Sequence, residues 1–408
     1  MEKANIPKIR FDKFNDDWEQ RKLGEMATSF EYGLNVAAKE YDGENKYIRI
    51  TDIDDNTHEF LTENLTSPDD DLTDAENYKL AKGDILFART GASVGKSYIY
   101  RDSDGLVYYA GFLIRARIKE EYDVEFVFQN TLTDRYRKYI AVTSQRSGQP
   151  GVNAQEYSKF EIQVPEKEEQ IKIGCYFRAL DNLITLHQRK YEKLQMIKKS
   201  MLEKMFPQNG EKKPEIRFEG FTDDWEQRKL GEVATYKNGK GHEDNQSDEG
   251  TYELINLNSI SIDGGLKPSG KFIEDGSDTL LENDLVMVLS DVGHGDLLGR
   301  VAIIPENNRF VLNQRVALLR INDDTNPYFL FSIINRHQDY FKKLGAGSSQ
   351  LNISRGTVED FVVDYPCQDE QRKIAKCFQN LDTLITLHQR KLEKLRNIKK
   401  SMLEKMFV

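Results

Sequence analysis

The sequence predicts an α+β protein in which one design occurs twice. Two mixed α/β regions are expected to be joined by two long helices that form an antiparallel coiled coil, so that the halves are in a pseudo-two-fold arrangement. Three observations carry this prediction. Two segments are repeated, the second repeated segment has a heptad pattern, and the divergent stretches between the repeats share one order of strands and helices.

The repeats divide the chain into two similar frames around two different inserts. Pro7–Thr28 and Pro214–Thr235 agree at 17 of 22 positions, and Leu180–Phe206 and Leu381–Phe407 agree at 23 of 27. A stretch with two prolines and a glycine, 207–214, marks a boundary between the copies. The predicted domains are therefore two α/β domains, 1–164 and 214–365, two helical spacers, 165–206 and 366–408, and a linker, 207–213.

Each spacer is predicted to be one long helix with an apolar seam. The seam positions of the first spacer are Phe177, Leu180, Ile184, His187, Tyr191 and Leu194. Their steps of three and four residues are typical of a coiled coil, and a helix of ~40 residues is ~60 Å long. Because the second spacer repeats the pattern, the two seams can cover each other. The alternative is two separate helical hairpins.

The inserts are predicted to share a fold although their sequences differ. Each contains apolar strand-like runs, then one amphipathic helix, then a final alternating strand. In the first insert the strands are expected at 84–88, 98–100, 112–118 and 160–164, with a helix at 124–139. In the second, strands are expected at 284–288, 301–304, 315–321 and 361–364, with a helix from 328 to about 344.

Composition favours a soluble protein of a reducing compartment. The 408 residues are 31% charged with a net charge of −10, and the three cysteines form no CxxC pair. The sequence contains neither an apolar run of the ~20 residues that span a bilayer nor a recognisable secretory signal. We therefore expect a cytoplasmic location. The negative charge argues against a protein that binds DNA through phosphate contacts alone.

Motifs for catalysis are weak. Thr90–Ser97 resembles a phosphate-binding loop, but its first glycine is one position too late. Asn326–Phe329 partly resembles an adenine-methyltransferase motif but lacks the second proline, and a helix start with Pro in the first turn explains it better. Asp291–Asp296, which includes His294, offers metal ligands, but the first insert has nothing similar. We expect no catalytic residue and no metal site in this chain.

Local basic segments favour contact with DNA. In both inserts a basic helix end precedes a loop rich in glycine, serine and glutamine, at 134–153 and 335–350. Arginine and lysine can clamp phosphate or read guanine, and amide side chains can pair with adenine. The alternative to DNA contact is a solvent-exposed helix face followed by a connecting turn. The candidate DNA-binding residues are Arg89, Lys96, Arg135, Arg137, Arg146, Gln149, Asn153, Arg300, Arg315, Lys342, Lys343, Ser349 and Gln350.

These features together resemble the specificity subunit of Type I restriction-modification enzymes. The resemblance covers essentially the whole chain and rests on the duplicated frames, on the strand 83–89, on the Gly148-Gln149 and Ser349-Gln350 turns, and on the Leu-Ile-Thr-Leu-His-Gln-Arg-Lys segment of each spacer. It implies two target recognition domains, each reading half of an interrupted site in double-stranded DNA. The unlike inserts imply an asymmetric site.

The resemblance also implies partners. Two adenine-N6 methyltransferase subunits would bring S-adenosylmethionine, and restriction and translocase subunits would use ATP and Mg, so this chain would hold no cofactor and do no catalysis. The repeated frames are expected to dock the partners through Trp18, Arg21, Met201, Met205, Trp225, Arg228, Met402 and Met406. The competing hypotheses are a coiled-coil scaffold that binds only proteins and a stand-alone DNA-modifying enzyme.

Overall fold

A computed structural model describes residues 6–146, 148–208, 210–276, 278–292, 295–347 and 350–408. They form two compact units, 1–190 together with 388–408 (the first unit) and 191–387 (the second unit). Both units take a piece of each long helix, because the division cuts the helices rather than following their ends. The predicted domain boundaries therefore stay a prediction.

The first unit is built on a four-stranded antiparallel sheet with the order β2-β9-β6-β7. Small sheets β1-β10, β3-β5 and β4-β8 surround it. The strands are β1 (Glu19–Lys22), β2 (Ala27–Tyr32), β3 (Ala38–Glu40), β4 (Lys46–Ile48), β5 (Thr66–Pro68), β6 (Asp84–Ala88), β7 (Ser97–Ile99), β8 (Val107–Tyr109), β9 (Leu113–Ile118) and β10 (Glu161–Val164). The helices are α1 (Leu23–Met26), α2 (Val124–Asn130), α3 (Asp134–Thr143), α4 (Ala154–Ser158) and α5 (Lys167–Lys204).

The second unit has a matching four-stranded antiparallel sheet, β12-β19-β15-β17, with the smaller sheets β11-β21, β14-β13-β18 and β16-β20. Its strands are β11 (Glu226–Lys229), β12 (Ala234–Asn238), β13 (Tyr252–Ile255), β14 (Phe272–Ile273), β15 (Leu285–Val288), β16 (Ser290–Asp291), β17 (Val301–Ile303), β18 (Phe310–Leu312), β19 (Val316–Ile321), β20 (Leu351–Asn352) and β21 (Val362–Tyr365). The helices are α6 (Leu230–Val233), α7 (Pro327–Arg336), α8 (Gln338–Leu344), α9 (Arg355–Glu359) and α10 (Gln368–Met406). The shared fold of the inserts is thus confirmed.

The predicted helix of each insert is in fact two helices. In the first unit α2 ends before Thr133, whose hydroxyl accepts a hydrogen bond from the Tyr136 backbone N–H at 3.3 Å and begins α3. In the second unit the backbone of His337, with φ −98° and ψ 40°, leaves the helical region between α7 and α8. The apolar spacing continues across both breaks. A capping residue therefore interrupts the helix in the first unit, and one non-helical residue interrupts it in the second.

Asn326 begins α7, as the sequence predicts. Its side-chain carbonyl accepts hydrogen bonds from the backbone N–H groups of Tyr328, at 3.0 Å, and Phe329, at 3.1 Å, and Pro327 is the first helical residue. An asparagine cap followed by proline is a common way to start a helix. The resemblance of this segment to a methyltransferase motif is thus explained by capping.

The long helices pair in antiparallel fashion within each unit. In the first unit Lys399 Nζ lies 2.6 Å from Asp181 Oδ1, and the Phe407 ring packs on Phe177, so rising numbers on α10 meet falling numbers on α5. In the second unit Lys198 Nζ lies 2.6 Å from Asp382 Oδ1, and Phe206 stacks on Phe378. The antiparallel pairing predicted from the heptad seams is confirmed, rather than two separate hairpins.

Candidate nucleic-acid interface

In the first unit the turn after β6 and the loop after α3 lie side by side. The backbone N–H of Val152 donates to the Arg89 carbonyl at 2.9 Å, and that of Gly91 donates to the Pro150 carbonyl at 3.0 Å. Gln149 reaches the same place, since a Cβ on Gly91 would lie 3.0 Å from the Gln149 side-chain nitrogen. The structure therefore brings together Arg89 and Gln149, which are far apart in the sequence.

Arg89 is held in a half-exposed position beside an aromatic ring. Its guanidinium lies 5.0 Å from the centre of the Tyr32 ring, and its backbone N–H donates to the Phe112 carbonyl at 3.0 Å. A cation over an aromatic face is attracted by the ring quadrupole. Tyr32 and Phe112 are 43% and 60% exposed, so both residues that contact Arg89, one through its ring and one through its backbone, present aromatic side chains to solvent.

Sequence reasoning missed Tyr32 and Phe112. Tyr32 is the last residue of β2, and Phe112 immediately precedes β9. Aromatic residues at strand ends are ordinarily assigned to the core, and only the paired register of β2 with β9, in which Tyr32 lies opposite Ile114, brings the two near each other. The sequence feature that could have identified both residues is their position at a strand end next to a predicted turn.

The second unit repeats the backbone arrangement with other side chains. The N–H of Ile353 donates to the Leu289 carbonyl at 3.0 Å, and the N–H of Leu289 donates to the Arg315 carbonyl at 2.9 Å. Leu289 therefore occupies the backbone place of Arg89, and Arg315 that of Phe112. Gln350 is half-buried and donates its side-chain N–H to the Ser290 hydroxyl.

A glycine begins this arrangement in both units. The Gly33 N–H donates to the Leu113 carbonyl at 3.1 Å, and the Gly239 N–H donates to the Val316 carbonyl at 3.0 Å. A Cβ on Gly33 would lie 2.2 Å from the Ala110 oxygen, and one on Gly239 would lie 1.8 Å from a backbone oxygen as well. The chain passes so close that only glycine fits, which fixes the residue before each glycine at the rim of the site.

Lys96 and Arg300 occupy matching positions before β7 and β17, and each is engaged within its unit. Lys96 Nζ donates to the Ile53 carbonyl at 3.0 Å and pairs with the Asp55 carboxylate. Arg300 donates to the Asn335 carbonyl at 3.0 Å, and burial lowers the pKa of its guanidinium. These contacts give both residues a structural role in holding the turn, and DNA contact by either stays a prediction.

The basic residues of α3 and the following loop are exposed but mostly engaged. Arg137 pairs with Asp134 at 2.6 Å, and Arg135 donates to the Val408 backbone oxygen at 2.9 Å. Arg146 donates to the Thr143 carbonyl at 2.9 Å. The exposed ion pair between Arg137 and Asp134 is of the kind that contributes little stability.

The remaining DNA-contact candidates lie near the same loops. Asn153 caps α4, its side-chain oxygen accepting from the Glu156 N–H at 2.9 Å. Lys342 pairs with Asp296 at 2.9 Å, and Lys343 is exposed at the end of α8. Ser349 lies outside the described residues, as does His294. Their geometry does not by itself identify base contacts, and DNA contact by these residues stays a prediction.

The proposed partner-docking residues divide into buried and exposed ones. Trp18 and Trp225 are each 2% exposed, and Met205 and Met406 are buried in the same cores. Their repetition is explained by core packing. Arg21 and Arg228 reach solvent beside Glu19 and Asp324 respectively. Met201 and Met402 are half-buried. Partner contact stays a prediction, and the exposed arginines fit it better than the buried residues.

Comparison with known proteins assigns the family. The family model described as the Type I restriction modification DNA specificity domain matches residues 15–196 and 222–397. The chain belongs to this family. The specificity-domain fold therefore occurs twice in this chain, and the resemblance stated from the sequence is confirmed, together with DNA recognition as the class of function.

Two relatives come from Methanocaldococcus jannaschii. The putative type I restriction enzyme MjaX specificity subunit is 24% identical, with 98% of this chain and 95% of the relative covered. The MjaVIII specificity subunit is 23% identical, with 95% and 91% covered. The crystal structure of the type I restriction-modification S subunit from M. genitalium covers 99% of both chains with a TM-score of 0.71 and 16% identity, which shows that the specificity domains here have the fold of that subunit.

Among the described residues, no group of three or more His, Cys, Asp or Glu side chains could hold a metal ion. No described helix combines the length and apolar character that crossing a membrane requires.

Proposed function

We propose that this chain is the specificity subunit of a Type I restriction-modification complex and reads a bipartite, asymmetric DNA site. Each unit reads one half of the site with the loops around Arg89 or Leu289. The observation that carries the proposal is the pair of matched backbone arrangements, 33–152 and 239–353, with different side chains at their rims. One frame with two sets of side chains suits two half-sites of different sequence.

The chemistry of the loops supports contact with base edges. Arginine pairs in bidentate fashion with guanine, glutamine and asparagine pair with adenine, and apolar groups contact the thymine methyl. Arg89, Gln149 and Phe112 in the first unit, and Arg315 and Gln350 in the second, supply these groups. Because the side chains differ between the units, the two half-sites are expected to differ.

The partners follow from the family. We propose that two adenine-N6 methyltransferase subunits and the restriction and translocase subunits assemble on the repeated frames, with Arg21 and Arg228 among the exposed contacts. S-adenosylmethionine, ATP and Mg would be bound by those subunits, and this chain would be non-catalytic and cytoplasmic. The net charge of −10 supports a division of labour in which the partners supply much of the phosphate binding.

Methylation mapping tests the function. The purified chain, its methyltransferase partner and the two together are incubated with S-adenosylmethionine and genomic DNA, and methylated adenines are located by sequencing. We expect one interrupted, asymmetric motif, produced only by the mixture. Methylation by the chain alone would make it an enzyme, and methylation by the partner at the same motif without this chain would remove its role as the reader.

A binding titration across salt tests the division of labour. The chain alone is expected to bind DNA weakly and without sequence preference, whereas the complex binds its motif tightly. Phosphate contacts appear as the slope of affinity against salt concentration. Tight, motif-specific binding by the isolated chain would contradict the proposal that the partners supply most phosphate contacts.

A further inference from the structure

The hydrogen-bond patterns of the two units match at four positions around these loops, of which Leu289 is partly buried against the core of the second unit. The strand ends Tyr32 and Asn238 correspond, since Tyr32 lies opposite Ile114 in β9 and Asn238 lies opposite Ala317 in β19, each before the glycine of closest approach. The other matched pairs are Arg89 and Leu289, Phe112 and Arg315, and Gln149 and Gln350. Three of the four positions differ between the units, and one is glutamine in both.

We propose that the three differing positions determine base specificity: Tyr32, Arg89 and Phe112 in the first unit, and Asn238, Leu289 and Arg315 in the second. This inference rests on the proposed function and assigns it to particular side chains. The backbone frame places the positions alike, and their side chains choose the bases. The glutamine at the fourth position is common to both units and does not distinguish them.

In the first unit these positions combine one cation with two exposed aromatic side chains. Arg89 is oriented by the Tyr32 ring at 5.0 Å and keeps its guanidinium partly exposed. Phe112 is 60% exposed, so its ring is accessible for an apolar contact. An oriented guanidinium fits the O6 and N7 edge of guanine, and the exposed ring fits an adjoining thymine methyl.

In the second unit the cation has moved to the position of the phenylalanine. Arg315 is exposed, and no described residue forms an ion pair or hydrogen bond with its guanidinium. Its backbone is left-handed, with φ 67°, a conformation that is unfavourable for a residue other than glycine. Strained backbone persists where the surrounding structure imposes it, often at functional sites. Leu289 and Asn238 then replace the Arg89–Tyr32 pair.

The test exchanges the side chains at one matched position in the full chain, complexed with its methyltransferase partner. The variants are Phe112→Arg and Arg315→Phe. Matched controls are Leu61→Arg in the first unit and Arg309→Phe in the second, which alter other exposed side chains. Methylated adenines are mapped, and rates are measured on DNA carrying the wild-type motif and all single-base changes in each half.

We expect each reader variant to lose roughly tenfold or more of its rate on the wild-type motif, the scale of one lost base contact. Phe112→Arg and Arg315→Phe should alter preferences in opposite halves, while the controls keep the wild-type motif. Unchanged preferences in both variants, or changes in the same half, would overturn the inference.

Two further measurements distinguish a change in DNA recognition from a loss of folding. Thermal unfolding shows whether each variant is folded, and the milder Phe112→Leu and Arg315→Lys repeat the test with smaller changes. A wild-type complex with no motif would refute the proposed function itself. A wild-type complex with a motif that all four variants leave unchanged would refute only the assignment of these positions.

Discussion

The two units resemble each other more closely in their cores than in their candidate reading loops. In the first unit the Phe407 ring lies 6.5 Å from Trp18 and 5.5 Å from both Phe126 and Phe177. In the second unit the same cluster recurs, with Phe206 6.1 Å from the ring of Trp225 and 5.8 Å from both Phe329 and Phe378. The cores share side chains and contacts.

The loops share only their backbone contacts. Arg89 and Leu289 make the same backbone hydrogen bonds with unlike side chains, and so do Phe112 and Arg315. A close-packed core constrains side-chain volume and shape, whereas a loop held by backbone hydrogen bonds leaves its exposed side chains free to differ. Near-identity in the frames and divergence in the inserts therefore have a common physical explanation.

Removing the helix-end phenylalanine should have the largest effect. Phe407→Ala and Phe206→Ala each leave a cavity in a buried aromatic cluster, which typically lowers the free energy of unfolding by about 3–5 kcal/mol. The two tryptophans, one per unit, report separately. Urea unfolding followed by fluorescence in Trp225→Phe and Trp18→Phe backgrounds should show Phe407→Ala weakening the first unit and Phe206→Ala the second. Equal weakening of both by either variant would contradict this assignment.

The ion pairs between the long helices should come next. Lys399 with Asp181 and Lys198 with Asp382 are mostly buried pairs at 2.6 Å. Lys399→Met and Lys198→Met remove the charge but keep much of the side-chain length. The loss of a hydrogen bond to a charged group costs about 1.5–3 kcal/mol. The control is Arg137→Met, whose exposed pair with Asp134 should contribute about 0–1 kcal/mol. Similar losses for all three variants would mean that burial does not distinguish these pairs.

A histidine pair should make the helix contact sensitive to pH. His187 Nδ1 and His388 Nδ1 are 2.8 Å apart, and burial, together with Lys190 and Lys391, lowers the pKa of both rings. The unfolded chain, with histidine pKa near 6.5, then binds protons more readily than the folded chain. The contribution of the histidine pair to stability is therefore complete above about pH 6.5 and is lost as the pH falls toward the lowered pKa values of the folded chain.

Urea unfolding at pH 7.5 and pH 5.5 checks this sign. His187→Gln and His388→Gln should each reduce the loss of stability between the two values. The half-buried rings of His58 and His337, whose pKa burial also lowers, should leave part of the loss in place. If both variants lose as much stability between the two pH values as the wild type, the histidine pair does not cause the pH dependence.

Much of the frame could be predicted from the sequence, because repeats and heptads are regular patterns. The helices 167–204 and 368–406 and the matching strand order followed from them. The break at Thr133 depends on one capping hydroxyl, and the approach of Gln149 to Gly91 depends on tertiary hydrogen bonds, so neither has a periodic signal. Burial of Trp18 likewise could not be distinguished from a docking role without knowing its neighbours.

The smallest effect on stability is expected at a reading position. Arg89→Leu gives the first unit the residue that the second unit has at this place and removes the contact with Tyr32, which at an exposed site contributes about 0.5–1 kcal/mol. The backbone hydrogen bonds from Val152 and to Phe112 do not involve the side chain and should persist. Urea unfolding with Trp18 as the reporter measures the change. A loss above about 2 kcal/mol would place Arg89 with the frame residues, because a side chain that only reads DNA should be removable at little cost to the fold.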